Sequence, residues 1–146
     1  MVIRSVKSLV FIILQIICVV FLALSGDLLP DSILLRLTMV FAGLIAIWSA
    51  VLANKYLNAA PDVIKDSKLI KNGPYRFIRH PMYLSLLILS LCWIVDYFTL
   101  IRLLVTIVLF TIMILKMNHE EELLKEAFPE YEDYQLRTKK LIPFVY

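Results

Sequence analysis

The chain has 146 residues, 61% of them hydrophobic and only 18% charged, with a formal net charge of +3. A soluble domain of this size carries charge on roughly a quarter of its residues, so the composition excludes a water-soluble globule. So small a positive excess also gives no case for nucleic-acid binding. Four apolar stretches, near residues 6–24, 33–53, 82–95 and 98–117, account for the composition. They predict an all-α integral membrane protein: four transmembrane helices in two antiparallel hairpins, with a cytoplasmic C-terminal helical extension.

Arg4 and Lys7 open the first stretch as a signal peptide would. Its apolar run is long, however, and Ser25-Gly26-Asp27 is a poor cleavage site, so a retained span is expected. Gly26, Pro30 and Asp31 mark the first turn. In the second stretch Gly43, near Ala42 and Ala46, permits close helix packing without demanding a dimer. The region 58–78 is longer and mixed: Pro61 breaks the helix and Asn72-Gly73-Pro74 is a strong turn signal. Arg79-His80-Pro81 then reads as the start of the third helix, because proline is tolerated in a first helical turn. A membrane-crossing helix needs about 20 residues, a length the third stretch reaches only if its helix begins near His80 or earlier. Asp96 sits in the next turn. The fourth stretch has no stop signal before Asn118-His119-Glu120-Glu121-Glu122, and nothing breaks it until Pro129. Cys18 and Cys92 both lie inside apolar stretches and read as small hydrophobes.

Charge placement predicts orientation. Arg4 and Lys7 precede the first stretch; Lys55, Lys65, Lys68, Lys71, Arg76 and Arg79 fill the long connection; Lys116, Lys125, Arg137, Lys139 and Lys140 follow the fourth. The two short connections hold no Lys or Arg, although Arg36 and Arg102 lie just beyond them. The positive-inside rule therefore puts both termini and the long connection in the cytoplasm of a multi-pass protein.

The chemistry gathers in two places. The first is Gly73–Tyr83, with Arg76, Arg79, His80, Tyr75 and Tyr83 at the edge of an apolar stretch. Tyr83, Tyr97 and Arg102 taken singly read as interfacial anchors. Arg79 and His80 beside a helix N-terminus, however, suit an anion such as a carboxylate or phosphate. The second is Glu120-Glu121-Glu122. Glu121 can pair with Lys125 on a solvated face, yet acidic residues near a helix C-terminus oppose its dipole. On a continuous helix Lys116 and Glu120 share one face, and against His80 they would offer a cation and a carboxylate to a zwitterion. His119 and His80 lack ligand spacing, so no metal site is expected. The absence of GxGxxG and of a glycine-rich phosphate loop excludes a Rossmann-type domain.

These residues carry a resemblance to the isoprenylcysteine carboxyl methyltransferase and phospholipid methyltransferase superfamily of integral membrane enzymes. One block is Leu69-Ile70-x-x-Gly73-x-Tyr75 with Arg79-His80-Pro81-x-Tyr83. The other is Glu120-Glu121-x-x-Leu124-x-x-x-Phe128, then Tyr131-x-x-Tyr134 and Ile142-Pro143. The resemblance implies S-adenosylmethionine as cofactor, in a single domain over 1–146 with cofactor-binding elements at 67–83 and 116–143. It implies that Ser67, Lys68, Leu69, Ile70, Tyr75, Arg79, His80, Pro81, Met82 and Tyr83 line the cofactor pocket, with Glu120 and Glu121 opposite. It implies catalytic roles for Glu120, His80 and Lys116, the last on the methyl-acceptor side. Lys116 stands where prenylcysteine enzymes have an arginine, and lysine lacks the bidentate fork that suits a carboxylate. Pro129 replaces a glycine and Ser67 a histidine common in eukaryotic members.

The expected acceptor is a lipophilic small molecule or lipid that reaches the site from the bilayer: a phospholipid headgroup amine, a prenylcysteine-type carboxylate or another membrane-partitioned molecule. Two rival readings remain. Ile142-Pro143-Phe144-Val145-Tyr146 resembles the ending of NADPH-dependent sterol and steroid reductases, and a non-catalytic membrane protein could recruit a partner through its C-terminal tail.

Overall fold

Long apolar runs free of proline build the four main helices, and turn-forming residues end them. The computed structural model describes residues 6–57, 69–143 and 145. In chain order the helices are α1 (Val6–Leu24), α2 (Ile33–Leu57), α3 (Pro81–Asp96), α4 (Leu100–Ala127) and the short α5 (Tyr131–Arg137), with a 3-10 turn at Gly73–Arg76 before α3. No β-strand occurs among the described residues; a single parallel bridge joins Ile78 to Lys139.

Three helices, α1, α2 and α4, are long and apolar enough to cross a membrane. At 1.5 Å per residue the 16 residues of α3 cover about 24 Å, short of a hydrocarbon core about 30 Å thick. The short third helix is therefore as its sequence predicts, with Pro81 in its first turn. The 28 residues of α4 run through the acidic triplet to Ala127 and span about 42 Å. With its apolar part over 98–117 in the membrane, its last turns stand clear of the hydrocarbon.

The tight packing does not follow the short links. Chiefly, α2 packs on α3 and α1 on α4, while α3 also touches α4 and α1. Both helices of the α2–α3 pair bury small side chains, Ala42 and Ser49 on one and Ser85 and Ser90 on the other, the residue type that lets membrane helices approach closely. Gly43 takes no part, since a Cβ there would meet nothing within 4 Å. The core centres on Cys18, Leu22, Trp93, Leu109, Ile112 and Met113. Cys18 and Cys92 are both free and buried.

At the end of the bundle away from the acidic triplet, Arg102 departs from the interfacial role its sequence suggests. It is only 2% exposed. Its Nη1 donates to Ser25 Oγ (2.6 Å) and its Nη2 to the Trp93 carbonyl (2.7 Å). Its guanidinium lies 5.6 Å from the Tyr97 ring centre. Trp93 Nε1 donates in turn to the Leu28 carbonyl (3.0 Å). Arg102 thus ties the α1–α2 link to the α3–α4 link. Replacing it with methionine keeps the volume and deletes two charge-assisted bonds, each worth about 1.5–3 kcal/mol. Arg102→Met should lower the thermal unfolding midpoint in detergent by several degrees; an unchanged midpoint would show that these bonds do not hold the links.

Candidate active site

The chain reaches the site through Gly73, whose φ of +60° is open mainly to glycine. A Cβ there would lie 2.7 Å from Leu52 Cδ1 and 3.2 Å from Trp48 Cε2, so glycine also lets the turn press on α2. Past the 3-10 turn the backbone extends and meets the C-terminal segment side by side. Arg79 N–H donates to the Lys139 carbonyl (2.8 Å), His80 N–H to that of Lys140 (3.1 Å), and Lys139 N–H to that of Phe77 (3.1 Å). The Tyr134 hydroxyl adds a bond to the Tyr75 carbonyl (2.6 Å). Pro81 then starts α3, with His80 immediately before it, as the spacing predicts.

Glu121, on α4, is the centre of this junction. Its Oε1 accepts from Arg79 Nε (2.7 Å) and His80 Nε2 (3.1 Å). Its Oε2 accepts from Gln135 Nε2 (3.1 Å) and lies 3.3 Å from Lys140 Nζ. Arg79 Nη1 continues to the carbonyls of Thr138 (2.7 Å) and Gln135 (3.2 Å). One carboxylate therefore joins α3, α4, α5 and the C-terminal segment. Burial alone would raise its pKa, but the hydrogen bonds and charges of His80 and Arg79 outweigh burial and hold it at about 2.

Glu120, one residue earlier, faces a different set. Its Oε1 accepts from the Tyr83 hydroxyl (2.7 Å) and its Oε2 lies 3.8 Å from His80 Nδ1. Lys116 Nζ stands 4.0 Å from Oε1, 5.3 Å from the Tyr83 ring centre, and donates to Gln15 Oε1 on α1 (3.3 Å). The two nitrogens of His80 thus face the two glutamates. Its ring also meets Tyr83 edge-on at 5.5 Å between centres. Burial, then the charge of Glu120, pushes the Tyr75 hydroxyl up to about 12. Burial likewise raises Tyr131 and Tyr134, so these phenols stay protonated donors at neutral pH.

Several residues expected from sequence therefore converge: Arg79, His80 and Tyr83 from the start of α3, and Lys116, Glu120 and Glu121 from α4. The anion-binding capacity read into Arg79 is taken up internally by Glu121 and two carbonyls. Leu69 and Tyr75 are partly buried and Ile70 and Pro81 buried, whereas Met82 is 45% exposed. Ser67 and Lys68 lie outside the described residues. The expected Glu121–Lys125 pairing is replaced by the bonds just described. Three participants had no motif to announce them. Gln135 and Lys140 are ordinary polar residues of a solvated tail until the backbone pairing brings them to Glu121. Gln15 had one available signal: it is the only amide in α1.

A family model described as phospholipid methyltransferase matches residues 32–131, from just before α2 to the first residue of α5. No curated protein matches the chain significantly.

The lowered pKa of Glu121 makes a pH prediction. A carboxylate depressed on folding stabilises fully above its unfolded value of 4.5, and that contribution fades as pH falls toward about 2. The junction should accordingly loosen between pH 4.5 and 2, seen as faster proteolysis of the C-terminal segment in detergent. Glu121→Gln should cleave readily even at pH 7 and flatten the profile. An identical profile in the variant would remove Glu121 as the titrating group.

Proposed function

Because the chain belongs to the phospholipid methyltransferase family, we propose that it transfers a methyl group from S-adenosylmethionine to a lipophilic acceptor at the cytoplasmic membrane boundary. The supporting observation is the convergence where α3 and α4 meet of Tyr83, in hydrogen-bond reach of Glu120, and His80, in ion-pair reach of it. In this reading α3 serves as a fourth, short span, and the basic connection and tail share the cytoplasmic side.

The residues suit the cofactor's chemistry. A sulfonium and an ammonium call for a carboxylate and aromatic faces, which Glu120, Tyr83 and Tyr75 provide. Its hydroxyls and carboxylate call for donors. Among the described residues the Tyr131 hydroxyl is buried without a hydrogen-bond partner, and burial, then the charge of Glu121, raises its pKa. Such a hydroxyl is a donor that a polar ligand can accept from. We assign Leu69, Ile70, Tyr75, His80, Pro81, Met82, Tyr83 and Glu120 to the pocket, with Ser67 and Lys68 carried by resemblance alone. Arg79 and Glu121 hold its wall.

When bound, S-adenosylmethionine supplies an electrophilic methyl group to an acceptor in line with it. Alignment of this kind can lower a barrier by about 7–11 kcal/mol. The Glu121 junction provides it by fixing His80 and the C-terminal segment against α4. A carboxylate acceptor needs no base. An amine arrives as an ammonium and must first lose a proton, which Glu120 or His80 Nδ1 is placed to accept. Lys116 would face the acceptor from the other side of Glu120.

Calorimetric titration of S-adenosylmethionine into detergent-purified protein tests the reading. Saturable binding is expected, weakened about tenfold or more in Glu120→Ala, which loses a charged contact, and similarly in His80→Ala. Folded protein that binds NADPH instead, or neither cofactor, would refute it.

A further inference from the structure

Between Leu9 and Leu24 every residue of α1 is apolar except Gln15. An amide in that position, about half-way along a 19-residue helix, is costly in hydrocarbon unless it has a partner. Its partner is Lys116 on α4, at 3.3 Å across 101 residues of sequence. Helical side chains lean toward their helix N-terminus, so Lys116 reaches back along α4, away from the acidic triplet and toward Gln15. The ammonium is thereby held in the bundle, with only 13% of its side chain exposed.

The bonding at this spot is incomplete. A lysine ammonium has three N–H donors. Among the described residues one goes to Gln15, Glu120 stands 4.0 Å off, and the Tyr83 ring supplies only a face. The Gln15 carbonyl accepts from Lys116, and its NH2 has no partner among the described residues. Two donor groups from different helices thus have bonding capacity left among the described residues, with Lys116 against the face of Tyr83, which packs with Phe11 on the apolar core. A group placed there meets the Lys116 ammonium and the Gln15 amide, with the Glu120 carboxylate 4.0 Å from the ammonium on its other side.

We propose that Gln15 is a specificity-determining residue: with Lys116 it forms a two-point site for an anionic oxygen group, phosphate or carboxylate, carried on an apolar tail. The inference rests on the proposed methyl transfer for its purpose, since it places the acceptor's anionic group beside Glu120. It also adds a residue outside the segment that matches the family, which begins at residue 32. Gln15 accepts from Lys116 to aim the ammonium and donates its own N–H to the same ligand group.

The test uses simple amphiphiles on full-length protein in a neutral maltoside. Dodecyl phosphate and dodecanoate are the anionic probes and dodecanol the uncharged control, with bound probe counted by native mass spectrometry. Saturable binding of an anion but not of dodecanol is expected. Gln15→Leu should weaken it about tenfold or more, as for loss of a hydrogen bond to a charged group. Gln15→Glu separates this role from a merely structural one, because glutamate keeps Lys116 paired but repels an anion. It should abolish anion binding while S-adenosylmethionine still binds. Preference for dodecyl phosphate would place a phospholipid-type headgroup here, and preference for dodecanoate a carboxylate-bearing lipid. Equal binding of dodecanol, or unchanged anion binding in Gln15→Glu, would overturn the proposal. Loss of S-adenosylmethionine binding in the unaltered protein, with anion binding kept, would instead overturn the methyltransferase reading and leave the anion site standing.

Discussion

A single carboxylate, Glu121, holds together elements that would otherwise have little reason to stay in register. It is 7% exposed and shares its two oxygens among Arg79, His80, Gln135 and Lys140. Removing a charge from water costs several kcal/mol, and only good geometry with full hydrogen bonding recovers it. Those demands are what give the junction its specificity: the carboxylate is satisfied only when the start of α3, α5 and the C-terminal segment are all in place. The backbone pairing of residues 77–80 with 139–140 follows from that placement and reinforces it.

Adjacent glutamates on one helix point in directions about 100° apart, and the molecule uses this to give them different work. Glu121 turns into the junction and is consumed by it. Glu120 turns toward Tyr83 and Lys116, keeps 23% of its side chain exposed, and meets fewer partners. In the methyl-transfer reading proposed above, the partly committed carboxylate is the one that meets a ligand and the saturated one builds the wall. His80, with one nitrogen toward each, couples the two. Arg102 plays a part at the far end comparable to that of Glu121, a buried charge joining two links through side-chain and carbonyl acceptors. Both ends are pinned by polar networks and the middle is packed by apolar and small side chains. That division suits a bundle whose exterior faces hydrocarbon, where apolar side chains gain little by choosing one another over lipid.

Much was legible along the chain because it depends on local pattern. Apolar runs of span length need nothing beyond themselves to be helices in a bilayer, since only internal backbone bonding satisfies their amides there. The short α3, its proline start after His80, the turn at Gly73 and the passage of α4 through the acidic triplet all follow from residue type and spacing. The two blocks that carry the family resemblance, around His80 and around Glu120, were visible for the same reason.

Other features required the fold. Which helices pack closely was hidden, since α2 lies chiefly on α3 and α1 on α4, across long stretches of sequence, whereas the short links suggest sequential partners. Arg102 read as an interfacial anchor because nothing local shows that Ser25 and the Trp93 carbonyl converge on it. The division between Glu120 and Glu121 was equally hidden, since both belong to one acidic run. Gln135 and Lys140 became partners of Glu121 only through the pairing of the C-terminal segment with residue 79. Gln15 became a partner of Lys116 only because α1 lies on α4. Sequence alone determined the helices, the membrane setting and the motif that carries the family resemblance, because these arise from residue type and spacing a few positions apart. The tertiary structure decided which charge meets which, because those distances close only after the spans have packed.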